Sequence, residues 1–270
     1  MGKKEDFRHH LQPLLEEYLE NRNEPQLTEF LVRNSNLPGR RANLELARAF
    51  TETIEASSSE NHSTLWDLLI KLTSITIDQA PVNDPKEFLP FCGTWALGAM
   101  GSRSDSWSQE SLILLKKLAV DPRWRMREAV AKAIGKLAQT RQRESLEVLS
   151  NWISGNQWLQ MRAVAAGVAE SSLISDKFFA KQALTLHKKI FNLIKGSNAR
   201  NEDFKVLKKG LSYTLSVVVA SIPEEGFKYL YQLSSLRDKD ISWIIRENLK
   251  KKRLSRNYPE EVKLLLADLK

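Results

Sequence analysis

Asp121-Pro122-Arg123-Trp124-Arg125-Met126-Arg127-Glu128-Ala129-Val130-Ala131-Lys132-Ala133-Ile134 is the stretch whose reading decides the fold. Over residues 127–138, Val130, Ala131, Ile134, Leu137 and Ala138 recur at helical spacing and form a single apolar face. Asp121-Pro122 reads as an N-cap followed by proline in the first helical turn, where a missing N–H costs nothing. Just upstream, residues 111–119 form another apolar helix with Leu112, Leu115 and Leu118 or Ala119 on one side. The segment is therefore helix, tight turn, helix. The β-branched run Val217-Val218-Val219 lies inside the helical-period series Leu207, Leu211, Leu215, Val218, Val219, so no sheet is predicted.

The same turn recurs along the chain. Asp121 precedes Arg127 by six residues, and Asn156–Arg162, Asp240–Arg246 and Asn34–Arg40 keep that spacing, with Asp84–Pro90 and Asn198–Phe204 as degenerate members. The second positions fall at 40, 90, 127, 162, 204 and 246, at intervals of 50, 37, 35, 42 and 42 residues. Helix-pair periods of that length belong to α-solenoids. The physical expectation is that the Asp or Asn caps the second helix of each pair. The Arg, one and a half turns later, then reaches the turn of the next repeat, giving a ladder of charge-assisted hydrogen bonds through Asp121, Arg127, Asn156, Arg162, Asp240 and Arg246.

With those residues in place, the segment around Asp121 and Arg127 resembles a HEAT repeat, whose best-known mark is an Asp-x5-Arg turn. The resemblance is good over 111–171, fair over 240–256 and weak over 198–210. It implies an all-α fold, an α-solenoid superhelix of about six stacked HEAT-like helix pairs. The absence of a low-complexity linker predicts a single domain over 1–270. In the first pair, Pro38-Gly39 starts a second helix presenting Leu44, Ala47 and Phe50, and an extra helix over 64–77 accounts for the 50-residue interval. Loops are expected at 57–63, 80–85, 101–106 and 196–201.

The 270 residues carry 41 Lys+Arg against 33 Asp+Glu, a formal +8, with a sequence pI near 9.5. Residues 1–180 hold 22 basic and 23 acidic side chains, whereas 181–270 hold 19 and 10, so the whole excess lies in the last third. It gathers at Lys188-Lys189, at Lys205, Lys208 and Lys209, and at Lys250-Lys251-Lys252-Arg253 with Arg256. Such clusters read either as solvated helix faces and helix C-termini or as a surface for an anionic partner. No run of 18 apolar residues exists, and the N-terminus carries no apolar signal core and no acylation box, so a cytoplasmic monomer without membrane attachment is expected.

Enzymatic signatures are sparse. Four His (His9, His10, His62, His187) and one Cys (Cys92, among apolar neighbours) make no metal-binding pattern, so no metal and no cofactor is expected. The eleven glycines form neither a P-loop nor a dinucleotide fingerprint, and no nucleophile elbow exists. One enzyme class stays open through resemblance, since alkylpurine DNA glycosylases are built on HEAT-like helix pairs, with aromatics and a carboxylate at the lesion. Here that resemblance transfers no catalytic residue: Asp121 and Asp240 are expected to serve their turns. Trp124, Trp158 and Trp243 lie near the starts of second helices, where a ring either seals the inter-repeat turn or stacks on a ligand. The function expected is a non-enzymatic HEAT-repeat binding scaffold offering the concave surface of its second helices to a macromolecular partner, protein or nucleic acid. Its candidate contacts are Lys250, Lys251, Lys252, Arg253, Arg256, Lys188, Lys189, Trp124, Trp158 and Trp243. The alternative is a nucleic-acid-binding or DNA-repair relative.

Overall fold

The computed structural model describes residues 3–155 and 157–269, and Asn156, the second member of the predicted ladder, lies outside them. Among the described residues there is no strand, and the chain divides into two compact units, Met1–Arg141 and Gln142–Lys270.

The first unit contains α1 (Lys3–Asn21), α2 (Pro25–Arg33), α3 (Leu44–Ala56), α4 (His62–Thr73), α5 (Phe88–Gly101), α6 (Asp105–Leu118) and α7 (Trp124–Thr140). Helices α1, α3, α5 and α7 pack side by side in chain order as one layer; α2, α4 and α6 cover it. Because α5 has neighbours on both sides and helices above it, all its residues but Trp95 are buried, and it is apolar all round rather than striped. Gly98 makes the closest approach possible: a Cβ there would stand 2.4 Å from the Ala133 carbonyl oxygen of α7. The apolar face read around Asp121 is buried as expected, with Val130, Ala131, Ile134, Leu137 and Ala138 all inside. Burial of each large member is worth about 1.5–3 kcal/mol. Cys92 is fully buried on α5, which pushes its thiol up and leaves it without nucleophilic character.

The second unit contains α8 (Gln142–Ile153), α9 (Trp158–Gly167), α10 (Lys177–Gly196), α11 (Glu202–Ser221), α12 (Pro223–Ser234), α13 (Lys239–Leu249), α14 (Lys252–Ser255) and α15 (Pro259–Asp268). Here α9, α11 and α13 form the layer, α8, α10 and α12 pack against it, and α14 and α15 close the end. The run Val217-Val218-Val219 is helical, within α11. Buried polar groups tie this layer together. Asn248 of α13 accepts the Ser216 N–H (2.7 Å) and donates to the Leu211 carbonyl (2.9 Å), inserting into the backbone ladder of α11. On α10, His187 bonds the Ala183 carbonyl (2.8 Å) and Thr214 of α11 (3.1 Å).

Across the described residues the consecutive helices α4/α5, α6/α7, α8/α9, α10/α11 and α12/α13 pack as pairs in a helical-repeat arrangement, while α2, which precedes α3, packs mainly on α1 and α5. The 50-residue interval has a different cause from the one expected. The helix near 64–77 is α4, the ordinary first helix of its pair, and the surplus length lies in the long turn 74–87.

The caps also differ from the expected phasing. A capping side chain must sit immediately before the first helical residue to reach the N2 and N3 N–H groups. Helix α7 starts at Trp124 with Arg123 at its N-cap, so Asp121 is two residues too early and its carboxylate goes to Arg123 instead. Asp238 rather than Asp240 caps α13, Asn201 rather than Asn198 caps α11, and Asn43 rather than Asn34 caps α3.

Candidate binding surfaces

In the first unit three turns are stitched by arginine. Arg123, 2% exposed, is gripped by Asp121 through Nε (3.0 Å) and Nη2 (2.8 Å). Its remaining donors cover the carbonyls of Ile75 (3.0 Å), Thr76 (3.4 Å) and Ala80 (3.2 Å) in the preceding turn. Arg125 reaches further. Its Nη1 pairs with Glu87 (2.9 Å), which is fully buried, and its Nη2 donates to the Gly39 carbonyl (2.6 Å) and to Asn83 Oδ1 (3.2 Å). Asn83 completes the knot: its N–H donates to Glu87 (2.7 Å) and its Oδ1 accepts the Gly39 N–H (2.9 Å), which holds Asn83 at φ 71°. Arg127 donates to the Asp121 (2.7 Å) and Pro122 (2.9 Å) carbonyls of its own turn. Arg123 and Arg125 thus both bridge from their own turn to turns earlier in the chain.

Over this knot lies an open cleft of ≈ 560 Å³ lined by Pro38, Gly39, Arg40, Val82, Asn83, Trp124 and Arg125. The Trp124 ring covers the Arg125 guanidinium at 4.5 Å and is itself 44% exposed, beside Val82 at 46%. Arg40 is exposed and has no hydrogen-bond or ion-pair partner among the described residues.

In the second unit Arg200 plays the part of Arg123. It donates to the carbonyls of Ser197 (2.7 Å) and Ile194 (3.3 Å) at its own turn and to Asp240 (2.7 Å) at the next. Asp240 also accepts from Lys208 (2.7 Å). Burial pushes the Asp240 carboxyl up, but the bonds from Lys208 and Arg200 outweigh it and hold the group below the usual aspartate value. The aromatic rings sit against the same cations: Phe204 under Arg200 at 4.4 Å, Trp243 under Lys208 at 4.7 Å.

The predicted contacts divide accordingly. Trp243 on α13 is 38% exposed, whereas Trp158, the first residue of α9, is 7% exposed and packs its edge on Phe204 (5.6 Å) beside a cavity of ≈ 480 Å³. Lys188 approaches the Tyr229 ring (5.3 Å), Lys189 bonds Ser150 and Lys250 pairs with Glu247. Lys252, Arg253 and Arg256 are exposed and Lys251 half-buried, and none of these four has a partner among the described residues. Arg162 is buried on α9, its Cγ within 3.0 Å of where a Cβ on Gly210 of α11 would stand. Arg246 donates to the Leu269 carbonyl, tying α13 to the end of α15. Among the described residues there is no group of three or more His, Cys, Asp or Glu positioned to hold a metal ion, and no helix is long and apolar enough to cross a membrane.

No family model and no curated protein matches the chain. Among solved structures it is similar to a designed armadillo repeat protein (15% identity, 83% of this chain and 98% of that one, TM-score 0.31). It is also similar to an engineered protein (16%, 85% and 99%, TM-score 0.33) and to a designed armadillo repeat protein in complex with the peptide (KR)4 (16%, 86% and 99%, TM-score 0.33).

Proposed function

We propose that residues 1–270 form one non-enzymatic helical-repeat scaffold whose second unit binds an acidic macromolecular partner. Charge distribution carries this reading. The first unit holds 19 Lys+Arg and 19 Asp+Glu, the second 22 and 14, so the formal +8 belongs wholly to the second. Within it, Lys251, Lys252, Arg253 and Arg256 follow one another at the α13–α14 junction with no carboxylate engaging them among the described residues. Cations without local partners are available to neutralise an incoming anion, and their grouping raises the rate of encounter as well as the affinity.

An acidic protein segment is the partner this surface fits first. Nucleic acid is the second reading, favoured by Trp243, an exposed ring with Lys208 beside it, the combination on which bases stack. A glycosylase activity would need a carboxylate near such a ring, and Asp121 and Asp240 are each already engaged by cations. Titrating the chain with a labelled acidic peptide and a short DNA duplex at 50 mM salt separates the readings. Tighter binding of the peptide supports the first; micromolar duplex affinity that falls steeply with added salt supports the second; binding of neither refutes both.

A further inference from the structure

The cleft of the first unit has a chemistry of its own. We propose that it is a peptide-binding site: an apolar side chain of an acidic segment lies on Trp124, Pro38 and Val82, and the neighbouring carboxylate pairs with Arg40 at the amino end of α7.

The ionisable side chains lining the cleft, Arg40 and Arg125, are both cationic, and no carboxylate lines it. Glu87 pairs with Arg125 from the buried side, so Arg40 carries the net charge the cleft presents. Trp124 and Arg125 are the first two residues of α7, a 17-residue helix whose N-cap, Arg123, supplies no side-chain acceptor. The positive end of that helix therefore adds to Arg40 in favouring an anion. Within the same rim, the partly exposed Trp124 and Val82 stand together with the exposed Pro38, an apolar strip next to a cation.

Rigidity completes the site. The cleft floor is the Gly39–Asn83–Glu87–Arg125 knot, and Arg125 Nε is buried with no partner, so the guanidinium is held by its Nη bonds and by the Trp124 ring. A Cβ at Gly39 would stand 2.5 Å from the Asn36 carbonyl oxygen, so the turn that offers its backbone to Arg125 requires glycine. A surface so fixed loses little freedom on binding. One net cation in a charge-balanced unit suits a single carboxylate beside an apolar group. A nucleic-acid backbone, with phosphates at regular spacing, calls for several.

The test is fluorescence anisotropy of the full chain with a labelled eight-residue peptide of alternating Leu and Glu, beside versions carrying Gln or Lys in place of Glu. We expect the Glu peptide to bind, the Gln and Lys peptides to bind at least about tenfold more weakly, and Arg40→Glu or Trp124→Ala to weaken the Glu peptide by at least about tenfold, with Trp124→Phe retaining most affinity. Lys251→Glu/Arg253→Glu, which disables the surface proposed for the second unit, should leave this binding within about twofold. The proposal is overturned if no Glu-peptide binding is measurable, if Arg40→Glu and Trp124→Ala bind like the parent, or if only the second-unit variant loses the peptide. It is equally overturned if Trp124→Ala loses a single-stranded oligonucleotide instead of the peptide.

Discussion

Replacing Arg125 by methionine, close in length but uncharged, should destabilise the first unit by about 3–5 kcal/mol, because it leaves Glu87 as an uncompensated charge with no route to solvent. Glu87 is fully buried, and its Oε2 accepts from both Arg125 (2.9 Å) and the Asn83 N–H (2.7 Å), while Oε1 has no partner to fall back on. The same substitution takes away the donors to the Gly39 carbonyl and Asn83 Oδ1, each worth about 1 kcal/mol and already contained in that range. Removing both charges tests the cause. Arg125→Met/Glu87→Met abolishes the buried charge together with its partner and should recover all but about 1–2 kcal/mol, a coupling that marks direct interaction. Urea unfolding followed by tryptophan fluorescence gives the free energies, with hydrogen exchange over 88–101 reporting the first unit separately. A single substitution costing under about 1 kcal/mol, or a double substitution costing the sum of the singles, would refute the claim that this pair locks the three turns.

Gly98→Ala should cost about 1–3 kcal/mol, read as a lower urea midpoint at unchanged slope, since the new methyl meets the Ala133 backbone and pushes α5 from α7. His187 gives a pH signature. Its Nδ1–H donates to the Ala183 carbonyl, which leaves Nε2 to accept from Thr214, and burial pulls its pKa down to about 4. The unfolded chain, with an ordinary value near 6.5, takes up this proton first. Stability is thus complete above about pH 6.5 and falls by about 3 kcal/mol as pH drops toward 4, a slope that His187→Gln should remove. Identical pH profiles for parent and variant would contradict the buried neutral imidazole.

The helical pairing was legible because it is written locally: a 3.6-residue apolar period, Pro and Asn at the turns, and a recurrence near 40 residues need no knowledge of distant partners. The helix start was read two residues early at Asp121 and two residues late at Asp240, since an Asp close to a turn looks like a cap whether or not it stands immediately before the first helical residue. The polar knot was out of reach. Arg125 meets Glu87 across 38 residues and Gly39 across 86, and both meetings depend on the path of the long turn 74–87, which no local pattern specifies. The Arg-x-Arg-x-Arg run around Trp124 was the available signal, and it pointed to the right turn without singling out Arg123 and Arg125 as arginines that bridge to earlier turns. Charge was legible by segment, yet only the fold distinguishes Lys250, paired with Glu247, from Lys251, Lys252, Arg253 and Arg256, which have no partner among the described residues.

The claim that the second unit is an anion-binding surface is tested most directly by reversing those four charges. Affinity for a labelled all-Glu peptide, which lacks the apolar side chains of the Leu/Glu probe held by the first-unit cleft, and for a labelled duplex would be measured at 50 and 200 mM salt for the parent, for Lys251→Glu/Lys252→Glu/Arg253→Glu/Arg256→Glu, and for a control reversing Lys116 and Lys117 of the first unit. The account predicts that the quadruple variant loses at least about 100-fold in affinity at low salt and most of the salt dependence, while the control changes by no more than about twofold. Equal affinities in all three proteins, or a larger loss in the control, would contradict it.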